Sequence, residues 1–136
     1  MRHLPATDIP AALRRGEHVE QFIGPSPAGV GYIRHVELRP VSNVIEVWVY
    51  DVEDIGSEST LDLYEFPTLE PDGADMPVAT FAGAVVAVDY ASGTLKADPD
   101  RWVRGAVIQD EYLDYIQAGR PPCWPAPRGN QLARAA

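Results

Sequence analysis

The chain has 136 residues, of which 46% are hydrophobic and 23% charged, with 13 prolines, 11 glycines and a formal net charge of −9. That length supports one hydrophobic core and not two, and the composition is that of a folded globular chain rich in turns. The acidic balance argues against nucleic-acid binding through phosphates. No apolar run is long enough to cross a bilayer, and the lone Cys123 excludes an intrachain disulfide and a cysteine-built zinc site. The first 16 residues lack the basic start and apolar stretch of a secretory leader, so a cytoplasmic protein with no membrane partner is expected. Ten Arg against the single Lys96, with frequent Ala and Pro, is a composition associated with GC-rich bacterial genomes.

In chain order, Thr7 or Asp8 caps a first short helix over residues 9–15, with Pro10 tolerated in its first turn and Gly16 as its stop. Residues 17–23 read as a strand, followed by a proline- and glycine-rich loop over 24–29. Residues 30–39 and 44–52 are rich in β-branched and aromatic side chains and are separated by Pro40-Val41-Ser42-Asn43, which predicts an antiparallel hairpin. In its second strand Ile45, Val47 and Val49 share one face, and Glu46, Trp48 and Tyr50 the other. A third strand of this meander is expected over 60–66, closed by Pro67.

Beyond it, 70–77 reads as a polar loop, 78–81 as short β, and 82–91 as a helix ended by Gly93. Residues 101–107 fit a strand or a loop equally well. A last helix over 109–118 is marked by Ile108, Tyr112, Tyr115 and Ile116 at helical spacing, acids in its first half, and Gly119 as its stop. Residues 1–122 therefore form a single domain, and 123–136 an irregular tail in which Trp124 docks on the core. His18-Val19-Glu20 recurs as His35-Val36-Glu37, which reads as a coincidence rather than a structural repeat.

Charge is unevenly spread. Between Arg39 and Lys96 there is no basic residue, whereas Glu46, Asp51, Glu53, Asp54, Glu58, Asp62, Glu65, Glu70, Asp72, Asp75 and Asp89 all fall in that interval. Ten of these lie from 46 to 75 and are expected to be neighbours in space, as a solvated face or as a docking surface for a basic protein. Trp48, Tyr50, Tyr64 and Phe66 alternate with the acids, and an aromatic anchor ringed by carboxylates suits an Arg- or Lys-rich partner. The partner-binding set is therefore Trp48, Asp51, Glu53, Asp54, Glu58, Asp62, Tyr64 and Glu65.

Asp51, Glu53, Gly56 and Asp62 stand at offsets reminiscent of a calcium loop, but Ile55 occupies a ligand position and the flanks read as strands, so no metal site is expected. His3, His18 and His35 are too scattered for zinc, and the two in strands are read as hydrogen-bonded structural residues. There is no nucleophile elbow, phosphate-cradling glycine loop or paired metal-binding histidine motif, and Cys123 lies among prolines with no base beside it. No catalytic residue or cofactor is assigned.

Glu46-Val-Trp-Val-Tyr-Asp-Val-Glu-Asp-Ile-Gly, Leu61-Asp-Leu-Tyr-Glu-Phe and Asp100-Arg-Trp-Val-Arg-Gly-Ala-Val-Ile-Gln-Asp-Glu-Tyr resemble small uncharacterised bacterial proteins of toxin-immunity type, over about residues 17–122. The resemblance implies a compact antidote that binds and blocks a cognate toxin through an acidic face, and it transfers no functional residue.

The resulting expectation is an α+β fold, with an antiparallel sheet of about three to five strands and two or three helices on one face. The leading function is a non-enzymatic protein-binding module, an immunity protein that neutralises a toxin through an acidic surface. The alternatives are a small-molecule-binding or enzymatic domain whose site is assembled from distant residues, and a structural homo-oligomer subunit. A concave pocket of convergent polar groups favours the first alternative, and a large self-complementary apolar patch the second.

Overall fold

The computed structural model describes residues 2–71 and 73–126. One antiparallel sheet of five strands is built from β1 (Val19–Pro25), β2 (Tyr32–Val41), β3 (Val44–Glu53), β4 (Ala79–Phe81) and β5 (Val103–Arg104), in the order β4-β3-β2-β1-β5. Three helices accompany it: α1 (Ile9–Arg14), α2 (Ala84–Thr94) and α3 (Ile108–Gln117). The fold is α+β, as the consecutive strands imply. Its centre is the β1-β2-β3 meander, in which Val41 pairs with Val44, so the hairpin turns on Ser42 and Asn43 alone. Ser42 takes up the turn with φ 53°.

Strand alternation gives this sheet two different faces. Val19 of β1, Val36 and Leu38 of β2, and Ile45 and Val47 of β3 point to one side, where they pack with Ile9, Ala12 and Leu13 of α1 and with Ala87 and Ala91 of α2. Ala at i and i+4 lets α2 lie close to the strands, and its outward Val85 and Val86 stay exposed. Two helices thus share one face. The third packs on the other, where Ile108, Tyr112 and Tyr115, spaced i, i+4 and i+7, meet Phe22, Ile33, Val52 and Val103. Tyr115 meets the Phe22 ring edge-on at 5.1 Å between centroids. Gly119 ends α3 with φ 86°, and Trp124 docks on the same cluster, 5.6 Å from the Tyr115 ring. The rest of the expected tail, 127–136, lies outside the described residues.

Several local expectations are corrected. Residues 60–66 contain no strand; Leu63–Glu65 is a 3-10 turn. Its two buried side chains, Leu63 and Phe66, are three apart, which suits a three-residue turn and not the period of two of a strand. The Asp62 carboxylate accepts the Tyr64 N–H and fixes that turn. Gly93 does not stop α2, which runs on to Thr94. Neither Thr7 nor Asp8 caps α1 through its side chain, because Ala6–Asp8 is already a 3-10 turn leading into the helix. The undecided 101–107 stretch contributes the two-residue edge strand β5, pairing with Val19 and Glu20.

The long β3–β4 connection is anchored from below by Tyr112, whose hydroxyl accepts the Gly56 N–H and donates to Asp54. A Cβ on Gly56 would stand 2.4 Å from the Tyr112 ring and 2.5 Å from the Thr60 carbonyl oxygen. Gly56→Ala is therefore expected to lower stability by about 1–3 kcal/mol, the usual range for overpacking, as read from the urea midpoint.

Candidate functional site

The α3 face of the sheet is only partly apolar. Beyond the patch under α3, its outward positions become polar: Glu20 on β1, His35, Glu37 and Arg39 on β2, and Trp48 and Tyr50 on β3. Register brings them together, since Glu20 pairs with Glu37, Glu37 with Trp48, and His35 with both Phe22 and Tyr50. The 3-10 turn lays Tyr64 over them, and Thr68, Val52 and Leu63 complete a cleft of about 250 Å³.

Glu37, 5% exposed, is the hub. Its Oε1 accepts hydrogen bonds from the Tyr50 hydroxyl at 2.8 Å and Arg39 Nη2 at 2.9 Å, and its Oε2 is held by His18 Nδ1. Burial alone would raise the Glu37 carboxyl; the Arg39 and Tyr50 hydrogen bonds, the charge of Arg39 and the His18 contact outweigh it and hold it below the ordinary value. Arg39 also lies over the Trp48 ring, 4.1 Å from its centroid. Glu20 behaves oppositely. Burial, aided by the Glu37 charge, raises its carboxyl despite the hydrogen bond it accepts from the Tyr64 hydroxyl at 2.5 Å. Burial raises the Tyr50 and Tyr64 hydroxyls as well, reinforced by their bonds to Glu37 and Glu20.

His35 lies at the bottom of the cleft, 2% exposed, stacked on Tyr50 at 4.9 Å and edge-on to Tyr64 at 6.0 Å. Burial pushes it down to about 4, against the pull of Glu37 and Asp51. Its Nδ1 has no hydrogen-bond partner among the described residues, so the expected hydrogen-bonded structural role is not what the fold gives it.

The eight residues expected to bind a partner do not form one patch. Trp48 lies beside the cleft, with its Nε1 donating to Glu46. Tyr64 forms the cleft wall and is 47% exposed. Asp51 is on the α1–α2 side of β3, where it accepts from Arg34 at 2.8 and 3.1 Å and from Ser26 at 2.6 Å. Asp54 accepts from Tyr112 at 2.6 Å and Arg120 at 3.1 Å, so both of these acids are neutralised by arginines distant in sequence. Asp62 fixes the 3-10 turn, and Glu58 accepts from Gln117. Glu53, at the end of β3, and the exposed Glu65 form no ion pair among the described residues. Of the acids of the calcium-like spacing, Asp51 turns to Arg34 and Ser26 and Asp62 to the Tyr64 N–H, and no group of three or more His, Cys, Asp or Glu among the described residues is placed to hold a metal ion. No helix among them is long and apolar enough to cross a membrane.

Sequence reasoning missed Glu20, His35, Glu37 and Arg39, although a signal was present. The repeated His-Val-Glu places Val19 and Val36 in the core and turns Glu20 and Glu37 toward each other on adjacent strands. Comparison with family models, with curated proteins and with solved structures gives no match.

The His35 environment dictates a pH dependence. Its folded value lies below the unfolded one, so neutral His35 stabilises fully above about pH 6.5, and that contribution is lost as pH falls toward 4. Glu37, held low, acts in the same direction further into acid; Glu20, held high, acts against them and loses its contribution as pH rises. Denaturant titrations at pH 7 and pH 4.5 are expected to show a fall of up to about 3 kcal/mol assignable to His35, by the linkage between proton affinity and stability, and absent in His35→Phe. An equal fall in both proteins would refute that assignment.

Proposed function

We propose that the chain is a non-enzymatic protein-binding module that engages a basic partner, of the kind an immunity protein neutralises, through the connection between β3 and β4. The observation that carries this reading is what the connection exposes. Glu58, Asp62, Glu65, Glu70 and Asp75 are all exposed along it and form no ion pair among the described residues. Tyr64, Ile55 and Met76 are 47%, 57% and 68% exposed on the same excursion. Exposed apolar and aromatic side chains among uncompensated carboxylates provide both parts of a docking surface: contacts that hold a partner and a field that steers a cationic one.

The same geometry refines which acids to test. Asp51 and Asp54 hold the fold together through Arg34 and Arg120, whereas Glu58, Glu65, Glu70 and Asp75 can be reversed with little structural consequence. With a partner captured by the tagged full chain, association is expected to slow as salt rises and the Debye length shrinks from about 10 Å at 0.1 M to about 3 Å at 1 M. Combined Glu58→Lys, Glu65→Lys, Glu70→Lys and Asp75→Lys is expected to slow association further while leaving the dissociation rate and the melting temperature nearly unchanged. Stopped-flow association that ignores both salt and these reversals would remove this surface from the reading.

A further inference from the structure

A second hollow lies away from the polar cleft, where α1, the turn of the β2–β3 hairpin and the first turn of α2 meet. It encloses about 520 Å³, against about 250 Å³ for the cleft, and so falls within the range of small-molecule sites. Its lining is mostly aliphatic. Leu13 and Ile45 are buried, Val44 is half-buried, and Val85 and Val86 stand 64% and 53% exposed. Ser42 and Asn43 add uncharged polar groups at the hairpin turn, and among the described residues Arg14, in the last turn of α1, is the one lining residue that carries charge.

The charge pattern defines the class of ligand. The chain enters α2 through residues 76–88, a stretch without a charged side chain in a protein of net charge −9, so exposed aliphatic surface here is not interrupted by acids. Arg14 differs from the other arginines of the described residues. Each of those forms an ion pair with a carboxylate, the longest at 3.1 Å between Arg120 and Asp54. The acid nearest to Arg14 in sequence on that side, Glu17, is taken by Arg15 and Arg104, and Arg14 itself has no ion-pair partner among the described residues. A guanidinium beside an aliphatic concavity complements an anion with an apolar body, and a single guanidinium matches a single negative charge. A cationic ligand would meet Arg14 with like charge. A second copy laid face to face would bring no acid to Arg14, since none lines the hollow.

We infer that this hollow binds a small amphipathic monoanion, a carboxylate whose apolar body lies along Val44, Val85 and Val86 and whose head meets the Arg14 guanidinium. The hollow shares no residue with the polar cleft or with the exposed acids of the β3–β4 connection, so it stands whether or not those acids dock a protein.

The test titrates the full chain with hexanoate, octanoate and decanoate below their micelle-forming concentrations, alongside octanol, octylammonium and acetate. Binding is followed by calorimetry and through the amide resonances of Asn43, Val85 and Val86. Octanoate is expected to shift those resonances saturably with a dissociation constant of about 1 mM or tighter, and each added methylene to tighten binding about fourfold, the scale of one buried CH2 group. Octanol should bind about tenfold more weakly for want of the charged head, and acetate and octylammonium without saturation. Arg14→Gln, at an exposed position, is expected to weaken octanoate about tenfold while leaving octanol unchanged, a split that loss of the fold would not produce. Val85→Glu, also exposed, sets a carboxylate in the hollow and should abolish octanoate binding. No saturable octanoate binding, an affinity indifferent to chain length, or octanoate binding unchanged in Arg14→Gln would overturn the inference. So would a concentration-dependent dimer, seen by sedimentation, that Val85→Glu disperses, because the hollow would then belong to a second copy.

Discussion

Glu37 is a carboxylate buried in the middle of the central strand, and much of the α3 face of the sheet is organised around that fact. An ion taken out of water persists only where its lone pairs are filled and its charge is matched. Arg39, Tyr50 and His18 meet that demand from two positions further along β2, from the neighbouring strand β3, and from the entrance to β1. Two of these are in turn held: Arg39 by the Trp48 face, Tyr50 by stacking on His35. The network therefore ties the three strands of the meander together from one side while the aliphatic residues do so from the other.

That division of labour explains why the two faces are finished differently. On the α1–α2 side, Val, Leu, Ile and Ala together with Trp102 fill the interface, and the ionic feature of the meander there, among the described residues, is the Arg34–Asp51 pair near its end. On the other side, apolar residues stop at Phe22, Ile33, Val52 and Val103, where α3 and the 3-10 turn cover them. The helix is itself fastened by a second buried carboxylate, Glu111, reached by Arg101 at 3.0 Å, Arg2 at 2.6 Å and His3 at 3.1 Å. Beyond the edge of α3 the 3-10 turn is what reaches over this face among the described residues, and the polar cleft lies between that turn and the sheet.

The acidic run between Arg39 and Lys96 looks uniform in sequence but is not uniform in space. Tertiary contacts draw Asp51 and Asp54 inward to arginines that the chain supplies from either side of the run, and leave Glu58, Glu65, Glu70 and Asp75 outside. The repulsion expected of so many like charges is thereby reduced where the chain is packed and retained where it meets solvent. Only the retained part can steer a partner.

The meander was expected one strand later than it forms, but the β2–β3 hairpin, the strand before it, the last helix and its stop were legible in the residues, because strand alternation at 44–52, the Ile108-Tyr112-Tyr115 spacing and the position of Gly119 are local signals. The 3-10 turn at Leu63–Glu65 was not, since Leu-Asp-Leu-Tyr-Glu-Phe alternates well enough to pass for a strand until the buried pair Leu63 and Phe66 shows a spacing of three. The cleft was beyond reach for a different reason. Its members come from residues 20 to 68, and what assembles them is the antiparallel register that sets Glu20 against Glu37 and His35 against Tyr50. Sequence by itself determined most of the elements and the sign of the charge, which depend on neighbours along the chain. Tertiary structure alone decided which acids are paired and which polar groups share a cavity, because register and burial depend on neighbours across it.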